Sequence, residues 1–195
     1  MTHILVDTAN TFFRARHVIR GDTSEKIGMA IHITMNSIKK AWADFDGSHL
    51  IFCLEGRSWR KDHYARYKRN RKDAIEALTP QEKEENDVFW ECYDDFVKFI
   101  QEKTNATVLR NPNTEADDLI ARWIDKHPNE QHVILSTDKD LNQLVKKNVR
   151  QYNGVTEQTI THEGWFDNKG KPVLDKKTKQ PKSAPDTDWI IFEKA

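Results

Sequence analysis

The chain has 195 residues, 37% hydrophobic and 32% charged, which suits one principal domain with its own core and is too short for two large ones. No apolar run approaches the roughly eighteen residues of a membrane span and no cleavable signal opens the chain, so a soluble, cytoplasmic protein with no membrane contact is expected, acting as a monomer. Thirty-one basic residues balance thirty-one acidic ones, which argues against a protein that coats nucleic acid through bulk charge.

In chain order, HILV (3–6) reads as a buried strand. Ile27, Ile31, Ile38, Trp42 and Phe45 then fall near a 3.6-residue period, which predicts a helix. LIFCL (50–54) predicts the second strand. Thr79-Pro80-Gln81-Glu82 is a capping box with proline at the first helical position. The helix it opens carries Phe89, Tyr93, Phe96, Val97 and Ile100 on one stripe. ATVL (106–109) predicts a third strand, a helix from Thr114 buries Leu119, Ile120, Trp123 and Ile124, and HVIL (132–135) gives the fourth strand. This alternation specifies an α/β domain over residues 1–165, with a central, mainly parallel, twisted sheet flanked by helices and right-handed crossovers.

Two stretches fit the alternation poorly. Residues 72–87 are almost wholly polar at their centre and are expected to project as a mobile flap, the outer part of a basic helical arm at 57–87. Residues 167–185 are rich in Lys, Pro and Gly and predict an exposed hairpin or linker within a separate segment, 166–195. Cys53 and Cys92 have no metal-ligand spacing and read as reduced structural thiols.

The neutral total hides a segregation. Between Arg57 and Lys72 eight residues are Lys or Arg and only Asp62 is acidic. Carboxylates gather elsewhere: Asp7 follows the first strand, Glu55 the second, Asp138 and Asp140 the fourth, and Glu115, Asp117 and Asp118 begin the helix after the third. Ligands of open parallel sheets sit beyond the carboxyl ends of the strands, so four chain segments deliver acids to one edge. Helix capping and the macrodipole account for any one of these acids taken alone. Their convergence calls for a positive partner, since two like charges about 4 Å apart repel by about 4 kcal/mol at an effective dielectric near 20.

Carboxylates without His or Cys companions suit a hard divalent ion, Mg²⁺, with Mn²⁺ able to substitute. Two such ions about 4 Å apart activate a water and stabilise the leaving oxygen of a phosphodiester. The arm's cations would contact phosphates while Trp59, Tyr64 and Tyr67 stack on bases. An acidic edge beside such an arm has the electrostatic form of a nuclease; the alternative for the arm is a solvated amphipathic helix.

The segments ILVDTANTFFRARH, SWRKDHYARYKRNR, TEADDLIA and STDKDLNQL, in that order, resemble the structure-specific 5′ nucleases. That family comprises flap endonucleases, the 5′ nuclease domain of bacterial DNA polymerase I, and phage 5′ exonucleases including phage ribonuclease H, all sharing a PIN-like domain. The resemblance implies that Asp7, Glu115, Asp117 and Asp118 hold a first metal, with Asp138 and Asp140 between two metals. It implies catalytic contacts from Lys68 and Arg71 to the scissile phosphate and from Tyr67 to a terminal base. Arg14, Arg57, Arg60, Lys61, Arg69 and Lys72 are expected to bind nucleic acid. The implied activity is metal-dependent 5′-3′ exonuclease or flap endonuclease cleavage of DNA, extending to RNA–DNA hybrids, in primer or flap removal.

Three departures stand out. Thr8 replaces a frequent glycine, and Glu55 stands where the family usually has aspartate, so Glu55 ligates directly or through water. The chain stops before the GDxxDN motif that completes the second metal site and opens a helix-hairpin-helix element. Asp186 and Asp188 are expected to cap the helix TDWIIFEKA instead of supplying that pair. A non-catalytic nucleic-acid-binding fragment is therefore the competing reading. A phosphatase of the haloacid dehalogenase type is excluded by Ala9, where its acid/base aspartate belongs, and a Rossmann domain by the lack of GxGxxG.

Overall fold

The computed structural model describes residues 1–18, 23–64, 66, 67 and 69–188, with the backbone alone for 15–18, 23, 24 and 69–72. Seven strands form one sheet in the order β3-β2-β1-β4-β5-β6-β7. The parallel part is β3 (Thr107–Leu109), β2 (His49–Cys53), β1 (Thr2–Asp7), β4 (Gln131–Leu135) and β5 (Val149–Asn153). β6 (Gln158–Thr161) and β7 (Gly164–Phe166) extend it antiparallel. The expected α/β class and mainly parallel sheet are thus observed, with three strands beyond the four that the apolar runs predict.

β1 and β4 are buried on both faces, as parallel strands between helical layers must be. Ile4, Val6, Phe52, Val133 and Leu135 point into one core with Phe12, Ile38, Phe89 and Phe96. Leu5, Ile51 and Ile134 point the other way, against Ile120 and Ile124. The first layer comprises α1 (Thr8–Val18), α2 (Thr23–Asp44) and α5 (Pro80–Lys103); α6 (Ala116–Lys126) covers the second face.

α5 begins as expected, with the reciprocal Thr79–Glu82 capping box and Pro80 in its first turn, and its five predicted stripe residues are all buried. α1 goes unread in the sequence because it begins at Thr8 directly after β1 ends at Asp7, with no turn residues between, and its first apolar pair is Phe12–Phe13. α2 ends at Asp44, so Phe45 lies just past it, and Trp42 is 40% exposed. α6 starts two residues later than predicted, and Leu119 and Trp123 are half-buried, not fully enclosed.

Two short helices, α3 (Arg60–His63) and α4 (Arg69–Glu76), occupy the basic arm. From Asp73 to Val88 no described residue is buried, whereas Ser58 at the start of the basic stretch is. The Lys-rich stretch after β7 folds back on it as a hairpin: Val173 N–H donates to Trp165 O at 2.8 Å and Lys182 N–H to Val173 O at 2.8 Å. Residues 189–195, over which Asp186 and Asp188 are expected to cap a helix, lie outside the described residues.

Candidate metal and nucleic-acid site

The register places the strand ends flush. Asp7 pairs with Cys53 and Val6 with Leu135, so the residues leaving β1, β2 and β4 emerge side by side. Asp7, Glu55, Glu115, Asp117 and Asp138 line one cleft of about 700 Å³. Its other walls include Asn10, Lys61, Trp90 and, from α4 of the arm, Ile75 and Glu76. Acids from four chain segments therefore meet at one edge, and the arm closes a side of it.

Asp7 is 3% exposed. It accepts from Ser136 Oγ at 2.7 Å and, as the residue before α1, from Asn10 N–H at 3.3 Å. Burial, followed by the charges of Glu55 and Asp138, pushes its pKa up to about 6, against the pull of those hydrogen bonds. A carboxylate so placed is stabilised by an added cation. Asp138 accepts from Asp140 N–H at 2.9 Å and opens the 3-10 helix Lys139–Leu144. Capping and site membership are thus combined in the same side chains.

Glu55 accepts from Ala116 N–H at 3.3 Å, the first turn of α6. Its loop is locked to the one before α6: Gly56 N–H donates to Thr114 O at 3.0 Å and Arg57 N–H to Pro112 O at 2.8 Å. A Cβ at Gly56 would lie 2.0 Å from Asn111 O and 2.6 Å from Thr114 O. Only glycine allows this approach of two backbones, and the approach sets Glu55 beside Glu115.

Glu115 precedes α6 but makes no side-chain cap. Its Oε2 accepts from Ser58 Oγ at 2.7 Å, Arg60 Nη1 at 2.7 Å and Tyr67 O–H at 3.2 Å. Arg60 also holds Asp118 through Nη2 at 2.8 Å and Nη1 at 3.0 Å, and the two carboxylates, Asp118 foremost, raise its pKa further above neutrality. Asp118 in addition accepts from Trp59 Nε1 at 3.2 Å.

Arg60 is directed at Glu115 and Asp118. Asp118 and Asp140 lie outside the lining of the cleft, Asp118 because its oxygens face Arg60 and Trp59. Tyr67, expected to meet a base, directs its hydroxyl at Glu115. Arg57 pairs with Asp62 and Arg14 donates to Thr137. Lys61 does reach the cleft. Lys68 lies outside the described residues, and Arg69, Arg71 and Lys72 belong to α4 without described side chains.

Among the described residues, no three His, Cys, Asp or Glu side chains could hold a metal ion as they stand. The donor chemistry nevertheless suits a hard divalent cation, being all oxygen, crowded and partly desolvated. The sequence reading missed Ser58 and Ser136, buried hydroxyls that hold Glu115 and Asp7. Their signal was position: each lies two or three residues beside a flagged acid.

The sequence as a whole was compared with known proteins. A family model described as 5′-3′ exonuclease, N-terminal resolvase-like domain, matches residues 2–170. The chain belongs to this 5′-3′ exonuclease family. Among relatives of the 5′-3′ exonuclease domain, the flap endonuclease Xni of Aeromonas hydrophila is 30% identical over 152 residues, covering 73% of this chain and 52% of that protein. DNA polymerase I of Rhizobium leguminosarum is 29% identical over 173 residues, 80% of this chain and 16% of that one. The chain thus spans about half the length of the flap endonuclease it matches.

Of solved structures, T5 5′-exonuclease with bound zinc superposes with a TM-score of 0.67 at 21% identity, over 83% of this chain and 58% of that one. A bacteriophage T5 flap endonuclease in a pseudo-enzyme-product complex with DNA and metal ions gives 0.66 at 22%, over 83% and 58%. At that identity the likeness is one of fold, an α/β PIN-like sheet.

Proposed function

We propose that the chain is the catalytic part of a divalent-metal-dependent 5′ nuclease that hydrolyses phosphodiesters near 5′ ends or single-strand/duplex junctions of DNA. The reading rests on one observation above others: five carboxylates from four segments share a cleft walled by a basic arm, with Asp7 raised to about 6. Membership of the 5′-3′ exonuclease family supports it. Asp7, Glu55, Glu115, Asp117 and Asp138 would hold the cation, Mg²⁺ or Mn²⁺. When bound, the ion supplies Lewis-acid stabilisation of charge on phosphate oxygens.

The chain's own residues do the rest. Lys61 and the cations of α4, Arg71 among them, would draw the phosphate backbone to the cleft, with Lys68 beside them. Ser136 and Ser58 keep Asp7 and Glu115 from turning away. RNA strands of RNA–DNA hybrids are within the proposed range, and flap or primer removal in replication is the proposed setting.

A second reading is a nucleic-acid binder that does not cut, left open because the chain spans about half the length of the flap endonuclease it matches. A 5′-labelled flap duplex incubated with Mg²⁺, Mn²⁺ or EDTA separates the two. Metal-dependent 5′ products are expected; binding without products in either metal overturns the nuclease reading.

A further inference from the structure

Gln151 stands in β5 two residues from Val149, on the face that packs Leu5, Ile134 and Leu141. An aliphatic side chain is the ordinary occupant of such a place. Gln151 is 1% exposed and its neighbour Asn142 is 5% exposed, so both amides are out of water. A buried amide is costly unless every polar atom is used. Here Gln151 Nε2 donates to Ser136 O at 3.1 Å and to Asp138 O at 2.7 Å, while its Oε1 accepts from Asn142 Nδ2 at 2.7 Å. Two carbonyls on one side fix the orientation, because only the nitrogen can meet both.

These bonds fall where the sheet gives out. The β4–β5 ladder ends with Leu135 opposite Tyr152, and beyond it the chain turns across the sheet edge through Ser136, Thr137 and Asp138. Ser136 then spends its hydroxyl on Asp7 Oδ2 and receives Asp138 N–H at 3.1 Å. The carbonyls of Ser136 and Asp138 are thus gathered by one side chain, and the two carboxylates beside them are fixed in relation to each other.

We infer that Gln151, locked by Asn142, is a positioning residue that clamps the Ser136–Asp138 backbone and thereby sets Asp138 and Asp7 for cation binding. The inference rests on the nuclease reading for its use, but the clamp is a property of the chain alone. Partners that orient metal-binding carboxylates typically matter by about 10- to 100-fold in affinity or rate. Gln151→Met keeps volume and removes the donor. Val149→Ala, on the same strand face but not bonded to the segment, is the control for simple loss of core packing.

Three quantities are measured on the full chain: amide hydrogen exchange at 136–140, Mn²⁺ affinity by calorimetry, and cleavage of the flap duplex with KM and kcat resolved. Gln151→Met is expected to speed exchange in that segment, weaken Mn²⁺ by about tenfold or more and lower kcat with KM for DNA unchanged. Val149→Ala should lose thermal stability with Mn²⁺ affinity intact. If Gln151→Met behaves like Val149→Ala, less stable but with wild-type exchange, affinity and kcat, the inference is overturned. Should the wild-type chain neither take up Mn²⁺ nor cut, the nuclease reading has failed instead, and the exchange rates alone decide whether Gln151 clamps the segment.

Discussion

At the amino ends of β1, β2 and β4 stand His3, His49 and His132; at or just past the carboxyl ends of the same strands stand Asp7, Glu55 and Asp138. The histidines pack ring against ring, His3 lying 5.2 Å from His132, 5.2 Å from His127 and 5.9 Å from His49, with Trp123 stacked on His127 at 4.2 Å. Burial, with His132 and His127 adding to it, holds the His3 pKa down to about 4. Its Nδ1 accepts from Trp123 Nε1 at 3.0 Å, and His132 Nε2 lies 2.8 Å from His127 O. Burial thus favours the uncharged form of His3 and His132 within an aromatic cluster. Asp7, just as deeply buried, has its pKa raised only to about 6 and so still carries its charge at pH 7. A fold that tolerates such repulsion at one edge and removes it at the other is using the first edge for something besides stability.

The strongest way to break the contrast is Asp7→Asn. A rise from 3.8 to about 6 corresponds to about 3 kcal/mol of unfavourable charge at pH 7. Cleavage should fall to background while the melting temperature at pH 7 rises. Near-normal turnover at saturating Mn²⁺ would remove Asp7 from the site.

Gly56→Ala comes next. Its methyl would meet two backbone carbonyls that cannot swing away, so a loss of about 2–4 kcal/mol is expected in urea titrations. Metal-dependent activity should drop in whatever remains folded, because Glu55 and Glu115 are forced apart. A variant with wild-type midpoint and rate would show that the two loops can separate without consequence.

The pH dependence of stability separates the two ends by sign. For His3 the unfolded pKa near 6.5 lies above the folded value of about 4. Its contribution is therefore present above 6.5 and lost as pH falls toward 4. For Asp7 the folded value lies above the unfolded one, so protonation below about 6 restores stability as pH falls. Relative to wild type, His3→Gln should gain stability at pH 4.5 compared with pH 7, and Asp7→Asn should do the reverse. Urea midpoints at the two pH values check this; parallel profiles for both variants would refute it.

The smallest expected effect belongs to Arg60→Gln. Its guanidinium pairs with Glu115, one of the residues that would hold the cation, so Mn²⁺ should bind several-fold tighter in the variant, read by calorimetry beside Lys61→Gln. Equal tightening in both would mean that general field, not direct competition, is at work.

Much of the acidic edge was legible because apolar runs locate strands and a parallel sheet puts every carboxyl end on one side. The same logic, applied to the strand beginnings, would have exposed the histidines, since HILV, HLIF and HVIL each open with one. β5 escaped because VRQYN carries Gln151 on its core face, where periodicity looks for an aliphatic residue. β6 and β7 are too short and polar to signal alone. The carboxylate partners of Arg60 were not legible because sequence shows a cation among cations and cannot show which way it turns; they lie 55 and 58 residues away.

The capping box of α5 acquires a mechanical meaning from the exposed turns behind it. The first buried residue of that helix is Phe89, so the turns from Pro80 onward form a cantilever with nine unburied residues, about 13 Å of rigid rod at 1.5 Å per residue. A free rod end would fray, and Thr79 with Glu82 stiffens the tip. The helix that carries Arg71 is therefore hung from a strut of set length and not from a tether. Removing or adding helical residues between Pro80 and Phe89 is expected to change the gap between the arm and the carboxylates.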